Sequence, residues 1–346
     1  MSELPKILVS SVIRSTNRGD SHGGLYVVDL EQGSHEQVLD WKYDHINWDS
    51  GGGDRGLRGL AFYEGELYAA GARAIFVFNK DYELVRQYRH NLLAGTHEIC
   101  IYQDVLFSIS NEYDVIMTFD LRGRQWTYGF KTTFNEPVGI FDTESPMLPR
   151  FDENQNMVMD KNDPTQPEWE RLLKEDTLHL DSVSLHDGWM FYSGSQAEHL
   201  YALNMQTLQH LSQKLHFPLT HNAQPWKDGV VFNRSVESDT SYQVDNDLVR
   251  HWRTPAFPNP IENFSLDDHA RVGYTRGMVL TKDHVIVGTS PASVHVYSLD
   301  SDLPIRSVYL SNDVRNSVCG MCAIEEPKEN YVNWTMADLL MGADKV

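Results

Sequence analysis

Cysteine, basic residues and long apolar runs are all scarce in this chain of 346 residues. No stretch of 18 consecutive apolar residues occurs, which argues against a membrane-spanning helix. Residues 1–13 carry one lysine and a short alternating apolar run, without the basic region and small-residue cleavage site of a secretory signal, so none is expected. Cys100, Cys319 and Cys322 are the only three cysteines, too few and too odd in number for a disulfide framework, and a reducing cytoplasm is the expected compartment. Lys and Arg total 29 against 49 Asp and Glu, a formal charge of −20. Such a surface repels phosphate backbones and anionic lipid, so neither a nucleic-acid nor a membrane-surface role is expected.

What the chain does have is repetition. Gly59–Gly71, followed by Ala74–Asn79 and Glu83–Tyr88, reads as short strands broken by Gly, Asp or Asn. The phrase returns at Ile99–Asp120, Val183–Leu203, Trp226–Tyr242 and Met278–Asp300. Each copy has the form of one four-stranded antiparallel blade. Ile7–Leu39 supplies three strands of a further copy and Ser317–Ile324 supplies one, so pairing the two terminal segments would close a ring and leave no free sheet edge. The predicted fold is all-β, a six-bladed β-propeller spanning 1–326, followed by a tail, 327–346, with a short helix at Tyr331–Met341. About Thr132–Asp176 the pattern breaks at Pro137, Pro146, Pro149, Pro164 and Pro167. An excursion over one face is expected there, ending in a short helix at Trp169–Leu173; its length would also admit a seventh blade.

Aligning the copies on the turn that ends each innermost strand brings out one position. Seven residues before Gly65, Asp104, His186, Asp228, Asp283 and Glu326 stand Arg58, His97, His179, His221, Arg276 and Cys319. Three of them head near-identical phrases: Arg58-Gly-Leu, Arg276-Gly-Met and Cys319-Gly-Met. Equivalent positions on innermost strands converge on the central channel. The ring order sets three imidazoles on one half of the mouth and two guanidiniums flanking a thiol on the other. A water-filled channel accommodates isolated histidines, but three in successive blades at one register point to a site.

Three neutral imidazoles can hold a first-row metal and leave positions open for water or substrate, so His97, His179 and His221 are the expected ligands of a divalent transition metal such as Fe, Mn, Zn or Cu. Glu98, Asp181 and Cys319 are the candidate catalytic partners, with Cys319 a channel ligand or nucleophile. Alternation points Asp181 at the channel and turns Glu98 sideways. Arg58 and Arg276 have the planar fork that grips carboxylate, phosphate or sulfate; Asn222 and Gln224 complete the substrate-binding set, Gln224 also being a possible extra ligand.

Three weaker signals are set aside. Cys319-Gly-Met-Cys322 has C-x-x-C spacing, but alternation sends the thiols to opposite faces and no second pair exists. Asp49–Gly56 is glycine-rich without the Lys-Ser/Thr of a phosphate loop, and is expected to be structural or to line the entrance through Arg55. Asp245-Asn-Asp247 lacks the glycine and final glutamate of a calcium loop.

Taken together, Gly53-Asp-Arg-Gly-Leu-Arg-Gly-Leu, His97-Glu-Ile, Leu178-His-Leu-Asp, Thr220-His-Asn-Ala-Gln-Pro, Ser290–Leu299 and Asp313–Gly320 resemble an uncharacterised bacterial family of six-bladed propellers, a domain of unknown function. The resemblance implies the fold and brings no activity with it. In that family's pattern a histidine often stands at the place of Cys319 and an asparagine at that of Asp181. A fourth histidine would resemble the iron site of carotenoid-cleaving oxygenases, and Cys319 departs from it. The ring of His and Arg also resembles the arylsulfate sulfotransferases, in which a channel histidine takes up the sulfuryl group. The expected function is a metal-dependent enzyme acting on a small anionic molecule in the channel, with oxygenase, lyase and hydrolase chemistry all open. The alternatives are a metal-free sulfuryl or phosphoryl transferase using a channel histidine, and a non-catalytic ligand- or protein-binding propeller.

Overall fold

The computed structural model describes residues 3–43, 56–90, 92–132, 176–262, 264 and 270–324, with the backbone of 139–142. These residues form six antiparallel sheets, the blades of a six-bladed β-propeller. Blade 1 joins Lys6–Ile13, Gly23–Asp29 and Ser34–Asp40 to Asn316–Ala323, which is its innermost strand. Blades 2 to 6 begin on the innermost strands Leu60–Tyr63, Ile99–Tyr102, Leu180–His186, His221–Trp226 and Arg276–Leu280. Each innermost strand touches those of the two flanking blades, including Asn316–Ala323 against both Leu60–Tyr63 and Arg276–Leu280, so the ring closes.

The burial pattern follows from stacking the blades face to face. Second and third strands are covered on both sides and buried along most of their length, apolar throughout in Ile75-Phe-Val-Phe but enclosing polar side chains in Asp239–Val244. Outermost strands face water and alternate or turn polar, as in Ser34–Asp40. The described apolar core divides into six clusters, one between each pair of neighbouring blades. Ile7, Val9 and Val28 of blade 1 pack with Ile286, Val294 and Val296 of blade 6, for example, and so lock the closing seam.

The expected closure by terminal strands is therefore present. Ser10 reinforces it: its hydroxyl donates to the carbonyl of Arg58 at 2.6 Å and accepts from the Gly320 N–H at 2.9 Å, tying blade 1 to blade 2. Blade 3 departs from the four-stranded expectation, because Gly139–Asp142 adds a fifth strand beyond Gln125–Lys131. The rest of the expected excursion, the helices at Trp169–Leu173 and Tyr331–Met341, and the entrance loop with Arg55 lie outside the described residues. Among the described residues no helix is long and apolar enough to cross a membrane.

A candidate anion site at the channel mouth

The aligned register is also where the innermost strands become irregular. Pairing shifts between Leu180 and Ser182, between His221 and Gln224, between Arg276 and Met278, and between Val318 and Gly320. These shifts are β-bulges, which re-aim side chains out of strict alternation. His179 and Asn222 have left-handed backbone, with φ of 49° and 53°, uncommon for residues with a Cβ and a form of strain that gathers at functional sites. Glycines follow Arg58 and Cys319 because the inner strands approach closely there. A Cβ on Gly59 would lie 2.6 Å from Glu98 Oε1, and one on Gly320 would lie 2.2 Å from the Arg58 carbonyl oxygen.

Arg276 is the centre of the arrangement. Its Nη1 lies 3.1 Å from His97 Nδ1, and its Nη2 lies 3.1 Å from His221 Nε2 and 3.0 Å from the Tyr274 hydroxyl. A guanidinium only donates, so both imidazole nitrogens accept. His221 then carries its proton on Nδ1, which faces the Ser235 hydroxyl at 3.0 Å, and that hydroxyl donates onward to the Thr275 carbonyl. Burial, then Arg58 and Arg276, hold the His97 pKa well below the usual histidine range. Burial and Arg276 do the same to His221. Both rings are neutral at pH 7.

His179 is held differently. Its Nδ1 faces the Asp176 carboxylate at 2.9 and 3.2 Å, and its Nε2 accepts from Asn111 Nδ2 at 3.3 Å. Its ring packs edge-on to His97 with centroids 5.8 Å apart. Arg58 donates to the Thr96 carbonyl at 3.3 Å, and its charge, like that of Arg276, bears on His97. Arg14 is brought in from blade 1. Burial and the charge of Arg276 lower its pKa, while Cys319 and Tyr274 act on it in the opposite sense.

Beneath this ring sit two carboxyl groups. Asp181 is 3% exposed; its Oδ2 lies 3.5 Å from His221 Nε2, and neither oxygen has a well-formed hydrogen bond, although Arg276 and the Asn222 N–H both act on its charge. Burial raises its pKa well above the usual range. Glu98 does not turn sideways as alternation implied. Its Oε2 accepts from Asn222 Nδ2 at 3.4 Å across the channel, and burial, with Asp181 adding to it, pushes its pKa up to about 8. The Asn222 amide is oriented by Asn233 Nδ2 and the Gly277 N–H, both donating to its Oδ1, at 3.2 and 3.0 Å.

The expected residues are thus gathered, and besides the direction of Glu98 three points differ. Among the described residues no group of three or more His, Cys, Asp or Glu side chains is placed to hold a metal ion. Arg276 occupies the nitrogens of His97 and His221 that face the channel, whereas His179 turns to Asp176. Gln224 lies past the bulge, paired with Val231, and makes no hydrogen bond to the cluster. Sequence reading missed Asp176, Arg14, Tyr274 and Ser235. Only Asp176, three residues before His179, carried a signal that spacing could have caught.

No protein-family profile matches the chain, and no curated protein does. Solved structures do match. A chain of the nidogen–laminin complex superposes with a TM-score of 0.57 at 8% identity, covering 94% of this chain and 100% of that one. A protein of unknown function from Bacteroides caccae superposes with a TM-score of 0.52 at 8% identity, covering 93% and 100%. Identities this low establish a shared propeller fold and nothing narrower.

Proposed function

We propose that the channel mouth binds a small oxyanion-bearing molecule and transfers its sulfuryl or phosphoryl group, without a metal, to an acceptor hydroxyl, the bond from sulfur or phosphorus to the donor's own alcohol oxygen breaking and that alcohol leaving with the acceptor's proton. The observation that carries this reading is the fork of Arg276 between His97 and His221. A permanent cation seated against two neutral imidazoles suits an incoming anion and opposes an incoming metal cation. An oxyanion can take the guanidinium protons from the two rings, with Arg58 and Arg14 adding positive potential in a protein whose formal charge is −20. His179 acts as nucleophile or base through Nε2 once that nitrogen exchanges its 3.3 Å bond from Asn111 Nδ2 for the substrate, while Asp176 faces Nδ1 in the manner of a carboxylate–histidine dyad.

The metal-dependent enzyme expected from the sequence is the competing reading, and it requires Arg276 to leave both imidazoles. Calorimetric titration with sulfate and phosphate, alongside elemental analysis of protein purified without an affinity tag, separates the two. Expected are anion binding weakened about tenfold or more in Arg276→Lys, which keeps charge but loses the fork, and no stoichiometric metal. Stoichiometric metal with unchanged anion affinity would sink the transferase reading.

A further inference from the structure

The carboxyl groups of Asp181 and Glu98 have no part in gripping an anion, and among the described residues no Lys or Arg forms an ion pair with either, the nearest ring nitrogen, His221 Nε2, lying 3.5 Å from Asp181 Oδ2. Asp181 lies one or two residues further along its strand than the aligned position, as Glu98 does on its own. Asp181 Oδ2 lies 3.5 Å from His221 Nε2, which is itself 3.1 Å from Arg276 Nη2, so this carboxyl sits one imidazole nitrogen away from the guanidinium. They converge on Asn222, whose side-chain amide reaches Glu98 and whose backbone N–H acts on Asp181. The nearest cation described, Arg276, is committed to His97, His221 and Tyr274. Both oxygens of Asp181, on a residue 3% exposed, are left as unfilled acceptors beside the channel. A buried carboxyl so sparsely supplied with donors is costly, and a ligand that brings donors relieves the cost.

We propose that the ligand of this channel is a compact zwitterion, whose anionic group meets Arg276 and Arg58 and whose ammonium group seats between Asp181 and Glu98. An ammonium offers three donors and one positive charge, which match the two open oxygens of Asp181 and the carboxyl of Glu98. A spacer of two to four bonds between the two charged groups spans that short separation. This inference rests on the anion reading above and narrows it to aminated substrates.

The test is calorimetric titration of the full chain with paired probes that differ only in the amine: 2-aminoethyl phosphate against ethyl phosphate, taurine against ethanesulfonate, and glycine against acetate. In at least one pair the aminated member should bind tenfold or more tightly. That ratio should fall to near one in Asp181→Asn and drop several-fold in Glu98→Gln, both near-isosteric, because the aminated member loses affinity that the amine-free member does not lose in step. Equal binding within every pair overturns the ammonium site and leaves the anion reading standing. Absence of binding by all six probes overturns both. If Asp181→Asn fails to fold, the ratio in the parent and in Glu98→Gln decides.

Discussion

Arg276 and His221 fix each other's chemistry: the guanidinium Nη2, 3.1 Å from Nε2, leaves that imidazole only one place for its proton, on Nδ1 towards Ser235. The same cation at 3.1 Å from His97 Nδ1 places the proton of that ring on Nε2. Two histidines at one register therefore rest in opposite tautomers. Long-range nitrogen–proton NMR correlations should report Nδ1–H for His221 and Nε2–H for His97 at pH 7. The reverse tautomer in either ring would mean that Arg276 does not lie between them.

Acid should weaken the fold through a residue far from the channel. His295, 1% exposed, sits between the hydroxyls of Ser293 and Ser307 at 3.2 and 2.8 Å, and burial lowers its pKa to about 4. Unfolded, it titrates near ~6.5. Between these values the unfolded chain binds more protons, so stability falls as pH drops from about 6.5 to about 4 and this contribution levels off below. The contribution is on the order of 3 kcal/mol. His295→Gln, which can still bond both serines, should flatten the pH dependence of the urea midpoint across that window. An unaltered slope would exonerate His295.

Gly59→Ala should destabilise by about 1–3 kcal/mol, since its Cβ would press on Glu98 Oε1 and the Ile99 backbone nitrogen, each 2.6 Å away. Gly65→Ala makes a control: its Cβ meets nothing within 4 Å, so only the strain of its φ of +81° remains, about 1 kcal/mol. Chemical denaturation of both variants should rank Gly59→Ala as the more damaging. The opposite order would contradict the close packing of the inner strands.

All three cysteines are free, and the thiols of Cys100 and Cys322 are pushed up by burial. Cys319 instead lies near Arg14 and Arg276 in the channel. Mass spectrometry after brief alkylation without reductant should find Cys319 modified first and no Cys319–Cys322 bond. A linked pair would reject the register of the closing strand.

The repeat, the closure and the six-position register were legible because each depends on spacing between turns, which the chain displays openly. Side-chain direction at the mouth was not. Alternation assumes an unbroken ladder, and the bulges at Asp181, Gly277 and Cys319 break it where the site is built. Glu98 reaches Asn222 because Gly59 beside it leaves room, a relation between two blades that no single strand pattern contains. Arg14 and Tyr274 sit outside the aligned register, in segments leading into or away from strands. The Asp176 pairing was hinted at by its spacing of three from His179, but the left-handed turn at His179 that completes it is not advertised by residue type.

Ring closure also sets a schedule for biosynthesis. Ser10 waits for a partner, Gly320, that lies 310 residues further along the chain. At about 5–20 residues per second a ribosome takes roughly 15–60 s to traverse that distance. Throughout that interval the inner edge of Lys6–Ile13, with Ile7, Leu8 and Val9 that end up fully buried, has no strand to pair with. A nascent chain in this condition presents an adhesive β-edge early and can seal it only after the strand that carries Gly320, 310 residues later, has been made. Slow translation or crowding of polysomes should therefore favour strand exchange between neighbouring nascent chains at blade 1 above the other five blades.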